Sequence, residues 1–229
     1  MSQITVKLID AMGSDLSVVN AARVSFGKQS NWEMTQDSPY VSLSSRDTRL
    51  INYLAKHKHI SPFGHCFASF HVKAPIFVAR QLVKHKFLRW NEISRRYVDE
   101  DPEFYVPDVW RGRSADKKQG SAGVSKWNHG QGTGYREHEY EAMASVLHLY
   151  KQMIDVGVAP EQARMVLPQS TMTEFYWSGS LDAFADMCRL RCKEDTQLET
   201  REVADQINLE MKALFPVSWE ALLKDYGDN

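Results

Sequence analysis

Alternation is clearest between Cys66 and Val72, where Cys66, Ala68, Phe70 and Val72 fall on one side and Phe67, Ser69 and His71 on the other. This period of two predicts a half-buried strand, ended by Pro75. Pro75 also suits the opening of a helix, because its missing N–H is not needed there. Ile76, Val78, Ala79, Leu82 and Val83 carry that helix to His85. Ile4–Leu8 alternates too, and Thr171–Ser178 has the β-branched and aromatic content of a strand. Helical spacing marks Leu16–Val24, a stretch capped by Ser44 or Ser45 and running to about His57, a long amphipathic run Tyr135–Val156, and a shorter one from Pro160 to Val166. Leu181–Arg191 and Leu198–Phe215 complete the set, and Asn31–Ser42 reads as loop. There are no repeats and no low-complexity linker. The expectation is one compact α+β domain over residues 1–229, with a mixed or antiparallel sheet flanked by helices. Trp110–Gly134 has no periodicity and is rich in Gly, Ser, Lys and Asn; it fits either a flexible surface insertion or a lid over a site.

Charge narrows the function classes. With 28 Lys and Arg against 29 Asp and Glu, the chain is unsuited to coating nucleic acid or to polybasic membrane anchoring. No apolar run approaches the roughly 18–20 residues that span a bilayer. The N-terminus lacks the charged, apolar and cleavage regions of a secretion signal, so a cytoplasmic protein is expected. Cys66, Cys188 and Cys192 suggest neither a disulfide framework nor a metal site; they read as buried thiols.

The one concentration of charge lies between Arg80 and Arg96: Arg80, Lys84, Lys86, Arg89, Arg95 and Arg96, with His85 and a single acid, Glu92. A charged helix end followed by a solvated loop would account for the composition. Phosphate recognition accounts for it as well, since Ser94 beside Arg95 and Arg96 offers a hydroxyl, guanidinium forks and turn amides. Lys84, His85 and Lys86 suit a second anionic group, and Asn91 and Glu92 suit a sugar hydroxyl. Neither a P-loop nor a Rossmann glycine motif is present to explain these cations.

The order Lys84-His85-Lys86, seven residues, Ser94 resembles the Arg-His-Arg-x7-Ser signature of the flavin-dependent thymidylate synthases. Asn20–Ser25, His59–His65, Phe70–Gln81, Glu103–Tyr105 and Ala163–Pro168 resemble further segments of that family in the family's order, as do Arg191, Gln197 and Glu199. Only Trp110–Gly134 falls outside the resemblance. It implies the family's α+β fold, assembled as a homotetramer whose active sites are built from several subunits. The implied reaction converts dUMP to dTMP in de novo dTMP biosynthesis, with methylenetetrahydrofolate giving the carbon and FAD, reduced by NADPH, giving the hydride.

Carried onto this sequence, the dUMP positions are Gln81, Lys84, Glu92, Ile93, Ser94, Arg95, Arg96, Arg164 and Arg191. The FAD positions are Ser61, Lys84, His85, Lys86, Glu92, Ser180, Asp182 and Asp186, and His59 falls near the flavin. Ser94, Arg96 and Arg164 make a sensible phosphate cage. Arg191 is the expected catalytic residue: a guanidinium at the uracil edge favours loss of the N3 proton and makes C5 nucleophilic. Read without the family, Arg191 would rather form a helix-end ion pair with Glu194 or Asp195.

The sequence also departs from the pattern. Lysine replaces both signature arginines, keeping the charge but losing the planar fork. Ser180, Asp182 and Asp186 stand where the family commonly has Asn-x-Arg and a later Asn, so two acids oppose the phosphates of a dinucleotide. Arg89, where Ser is frequent, is an expected compensating cation. Two other readings remain open at this point: a related flavin- and folate-dependent methylase or hydroxymethylase acting on UMP or a similar nucleotide, and a nucleic-acid-binding module stacking bases on Phe87, Trp90 and Tyr97.

Overall fold

The computed structural model describes residues 3–34, 41–98, 100–115, 121–125, 127 and 134–226, leaving aside the side chains of 134–137. Its centre is a four-stranded antiparallel sheet of β1 (Thr5–Met12), β4 (Phe67–Pro75), β8 (Met172–Ser180) and β5 (Arg89–Glu92), in the order β1-β4-β8-β5. The expected sheet is therefore antiparallel throughout. Ala68, Phe70, Val72 and Ala74 of β4 stand opposite Gly179, Trp177, Phe175 and Thr173 of β8. The alternation seen in the sequence thus puts both sets on one buried face.

Against that face pack α1 (Asp15–Arg23), α2 (Ser45–Lys56), α3 (Ile76–Leu82), α6 (Leu181–Arg191), α7 (Leu198–Leu214) and α8 (Pro216–Leu223), which contribute Val19, Ile51, Leu82, Phe184, Ile207 and Trp219 to a single core. Phe184 meets Phe70 and Trp177 edge-on, at 5.2 and 5.6 Å between ring centroids. The helices α4 (Gly134–Asp155) and α5 (Pro160–Ala163) precede β8. The short strands β2 (Glu33–Met34) and β3 (Val41–Ser42) pair with each other at the ends of the segment expected to be loop; 35–40 lie outside the described residues. Two further short strands, β6 (Arg111–Arg113) and β7 (Ser121–Val124), form an antiparallel ribbon within the aperiodic segment. Its residues 116–120, 126 and 128–133 lie outside the described ones, as do 227–229.

The end of one helix and the presence of two elements depart most from expectation. The helix α3 stops at Leu82 instead of reaching His85, because the chain turns at Val83–His85 and Phe87 adopts a left-handed backbone (φ 67°) that redirects it into β5. That turn packs closely on the sheet: a Cβ on Gly179 would lie 2.3 Å from Leu88 and 3.3 Å from the carbonyl oxygen of Phe87. The strand β5 itself was not anticipated. Nor was α8, whose first amides (Val217 and Ser218) donate to the buried carboxylate of Asp15 at 3.0 and 2.8 Å. Among the described residues, no helix is long and apolar enough to cross a membrane.

Candidate active site

The residues singled out in the sequence form three groups. The first lines a cavity of about 590 Å³ that includes Glu92, Ile93, Ser94, Arg95 and Arg164, with Arg80 at its edge. The turn after β5 places Ser94 here, and Ser94 Oγ accepts from the Arg96 amide at 3.3 Å. Arg96 and Arg164 meet at Glu161: Arg96 Nε is 3.4 Å from its carboxylate, and Arg164 Nε donates to its backbone carbonyl at 3.3 Å. Arg95 is engaged differently from its neighbours. Its Nη1 donates to the Glu100 carbonyl oxygen at 2.5 Å, and it holds the loop after the signature. Glu92 is fixed by Thr173, which the sequence did not single out, and by Trp90, named there only as a stacking surface: Thr173 Oγ1 donates to one oxygen at 2.6 Å and Trp90 Nε1 to the other at 3.1 Å.

The second group joins the start of the signature to the end of α6. Arg191, the last residue of α6, donates from Nε to His85 Nε2 at 3.0 Å and from Nη2 to the Gln81 carbonyl at 3.5 Å. It makes no ion pair with Glu194 or Asp195 among the described residues, so the helix-end alternative does not describe it. Burial presses the guanidinium pKa down. Burial first, and the Arg191 charge second, push His85 down to about 4. The imidazole is therefore neutral near pH 7, and its Nε2, which accepts from Arg191, leaves the proton on Nδ1. His85 is expected to titrate in the folded protein with a midpoint near 4. An NMR pH titration checks this, and a midpoint at the ordinary value of about 6.5 would refute it. The sign follows. The unfolded chain binds the proton first as pH falls, so the contribution of His85 to stability is whole above about pH 6.5 and is lost as pH falls through the folded value.

The third group is Asp182 and Asp186, which line a cavity of about 680 Å³ near the C-terminal end of α2. Lys84, Lys86, Ser61 and His59 are exposed, and Ser180 is the N-cap residue of α6. Arg89 is exposed on β5 and does not line the third group's cavity. Among the described residues, no hydrogen bond ties the three groups together.

Against this geometry, the chain matches the family model described as "Thymidylate synthase complementing protein" over residues 7–217. It belongs to this family, the flavin-dependent thymidylate synthases. The flavin-dependent thymidylate synthase of Thermosipho melanesiensis is 36% identical over 218 residues, covering 95% of this chain and 90% of that protein. One from Thermus thermophilus is 38% identical over 216 residues, 94% of this chain and 74% of the relative. Among solved structures, the UMP/dUMP methylase PolB from Streptomyces cacaoi bound with 5-Br dUMP superposes with a TM-score of 0.81 at 34% identity, covering 96% of this chain and 94% of that one. The chain is thus an enzyme of the methyltransferase type that depends on a flavin, and the expectation of a nucleic-acid module falls away.

The side chains around the third group's cavity carry a local excess of positive charge, which suits an anionic ligand. Around Asp182, Asp186 and Asp225, the 680 Å³ cavity carries Lys56, Lys58, Arg189, Lys193 and Lys224, five cations against three carboxylates. Asp186 is already paired with Arg189 at 2.5 Å, and Asp182 Oδ1 is buried without a partner. The compensation expected of Arg89 is available here from other side chains. A volume of several hundred Å³ is the size of an ordinary nucleotide pocket.

Proposed function

We propose that the enzyme converts dUMP to dTMP in de novo dTMP biosynthesis, taking its carbon from methylenetetrahydrofolate and using FAD reduced by NADPH. The observation that carries this reading is the guanidinium of Arg191, pinned between a neutral His85 and the Gln81 carbonyl. A cation fixed in a half-buried place costs little reorganisation when negative charge builds on a ring held against it. Its remaining N–H groups meet the uracil edge, favour loss of the N3 proton and send electron density to C5, the atom that takes the carbon. The bound flavin supplies the hydride.

Ser94, Arg96 and Arg164 hold the nucleotide phosphate, with Lys84, Glu92, Ile93 and Arg95 around the rest of the nucleotide. Ser61, Lys84, His85, Lys86, Glu92, Ser180, Asp182 and Asp186 hold FAD, and His59 lies near it. The Glu161 carboxylate sits where it competes with the phosphate for Arg96, while Arg164 rests on the Glu161 backbone carbonyl. Replacing Glu161 with Gln is therefore expected to lower KM for dUMP by about two- to fivefold, the scale of an exposed ion pair; steady-state kinetics check it, and an increase would contradict the cage.

The assembly is a homotetramer in the cytoplasm, its sites shared between subunits. Two features support the sharing: the three groups stay apart within one chain, and Phe87, Tyr97 and Met165 around them are 78–80% exposed. The deciding experiment is dTMP formation from dUMP with FAD, NADPH and methylenetetrahydrofolate, and loss of all activity when any one is omitted. A colourless protein that takes up no FAD would overturn the reading. UMP belongs in the same assay as a second substrate, because the similar PolB structures include one bound with 5-Br UMP, at a TM-score of 0.81 and 32% identity. Methylation of UMP at a rate equal to dUMP would move the assignment to a UMP/dUMP methylase.

A further inference from the structure

Arg111 stands in the aperiodic segment, outside the motifs by which the sequence resembles the family, yet a series of hydrogen bonds leads from it to Gln81 of the second group. A register shift between Arg111 and Gly112 turns the β6–β7 ribbon, and a Cβ on Gly112 would lie 2.7 Å from the Ala122 carbonyl oxygen. Arg111 Nε donates to Ser121 Oγ at 2.7 Å. Its Nη2 donates to both oxygens of Glu199 at 2.7 and 2.8 Å. Glu199 is the buried end of this contact, with its side chain 5% exposed. The chain of bonds continues: Gln197 Nε2 donates to Glu199 at 3.1 Å, and Gln81 Nε2 donates to Gln197 Oε1 at 2.6 Å.

The direction of every bond in this series is set at its charged end. A carboxylate held by a guanidinium only accepts, so Gln197 must turn its amide N–H₂ towards Glu199 and its oxygen towards Gln81. Gln81 must then commit one N–H to Gln197, and its own oxygen is left to face outward. Without the guanidinium the carboxylate is no longer held against Gln197, and both amides are free to flip. We propose that Arg111 is a positioning residue that fixes the amide sense of Gln81, and through it the preference for a uracil over a cytosine nucleotide. This rests on the proposed function, in which Arg191 meets the uracil edge, and adds the side-chain amide of Gln81 to that edge. Uracil and cytosine carry inverted donor–acceptor patterns at N3 and the exocyclic position, so an amide that cannot flip serves one and opposes the other.

The test compares wild type with Arg111→Ala and Arg111→Lys, measuring kcat and KM for dUMP and the inhibition constant of dCMP in the same assay. Arg111→Ala is expected to lower kcat/KM for dUMP about tenfold and to narrow the dUMP-to-dCMP affinity ratio by about three- to tenfold, the scale of one hydrogen bond. Arg111→Lys is expected to recover part of the ratio. A merely structural role would weaken both nucleotides equally, and an unchanged ratio overturns the proposal. Should Arg111→Ala fail to fold, Glu199→Gln tests the same point, since a glutamine there accepts or donates and releases the series. A wild-type enzyme without activity on dUMP would sink the functional reading itself, whereas an active wild type with an unchanged ratio in the variants sinks only the relay.

Discussion

Replacing Arg191 with alanine is expected to lower kcat for dTMP formation by about a hundredfold to a thousandfold, the cost of losing one preorganised donor at a developing anion. KM for dUMP is expected to change far less. The phosphate and its three cage residues stay in place, and only an interaction that strengthens on the way to the transition state is gone. Arg191→Lys is expected to recover little of the loss. The guanidinium commits Nε to His85 and Nη2 to the Gln81 carbonyl while keeping further N–H groups for the base, and a single ammonium does not reproduce that fork. A second signature separates this from general damage. With the cation removed, one of the two causes that hold His85 near 4 disappears, so the midpoint of His85 is expected to move up in Arg191→Ala. A kcat within threefold of wild type, or an unmoved His85, would remove Arg191 from its proposed role.

What the sequence made legible follows the reach of each physical signal. The strands β4 and β8 and the helices α2, α6 and α7 each bury one face, so their periodicity is local and readable. The strand β5 turns a single large apolar side chain, Trp90, towards the core, opposite Trp177; a four-residue edge strand with one such residue has no alternation to detect. The helix α8 takes its cap from Asp15, about 200 positions away in the chain, and no local pattern announces that. The site divides in the same way. The order of residues from Lys84 to Ser94, with the distant family segments, pointed to which side chains matter. It did not reveal that Arg191 would rest on His85, 106 positions apart, or that Arg95 would turn to a backbone carbonyl while Arg96 and Arg164 converge on Glu161. Arg111 had no signal of its own. Its partner Glu199 did, being a charged residue that falls on a family segment and lies buried in the first turn of α7. A buried carboxylate needs a cation, and the search for that cation leads into the segment the resemblance leaves out.

The largest stability effect is expected at Trp177, and it reaches the site as well. Trp177 is 1% exposed, and its ring lies 5.6 Å from Phe184, 5.8 Å from Trp90 and 6.4 Å from His85, centroid to centroid. One side chain thus joins part of the sheet's contact with α6, the inward residue of β5 and the wall behind the signature imidazole. Trp177→Ala is expected to cost about 3–5 kcal/mol, from lost burial together with a cavity that the flanking strands cannot close. Urea unfolding at fixed protein concentration measures it, the concentration being held because subunit association contributes to apparent stability. A cost under about 1 kcal/mol would mean that the core relaxes around the gap, contrary to close packing. Trp177→Phe isolates the functional share. It keeps an aromatic ring in the core and is expected to fold, but it thins the apolar wall beside His85. Burial is the larger cause of the depressed value there, so the imidazole is expected to titrate higher, and kcat to fall at acidic pH, where His85 becomes cationic and loses the lone pair that accepts from Arg191. A Trp177→Phe enzyme with a raised His85 midpoint and undiminished kcat at acidic pH would show that the neutral imidazole is not needed to hold the arginine.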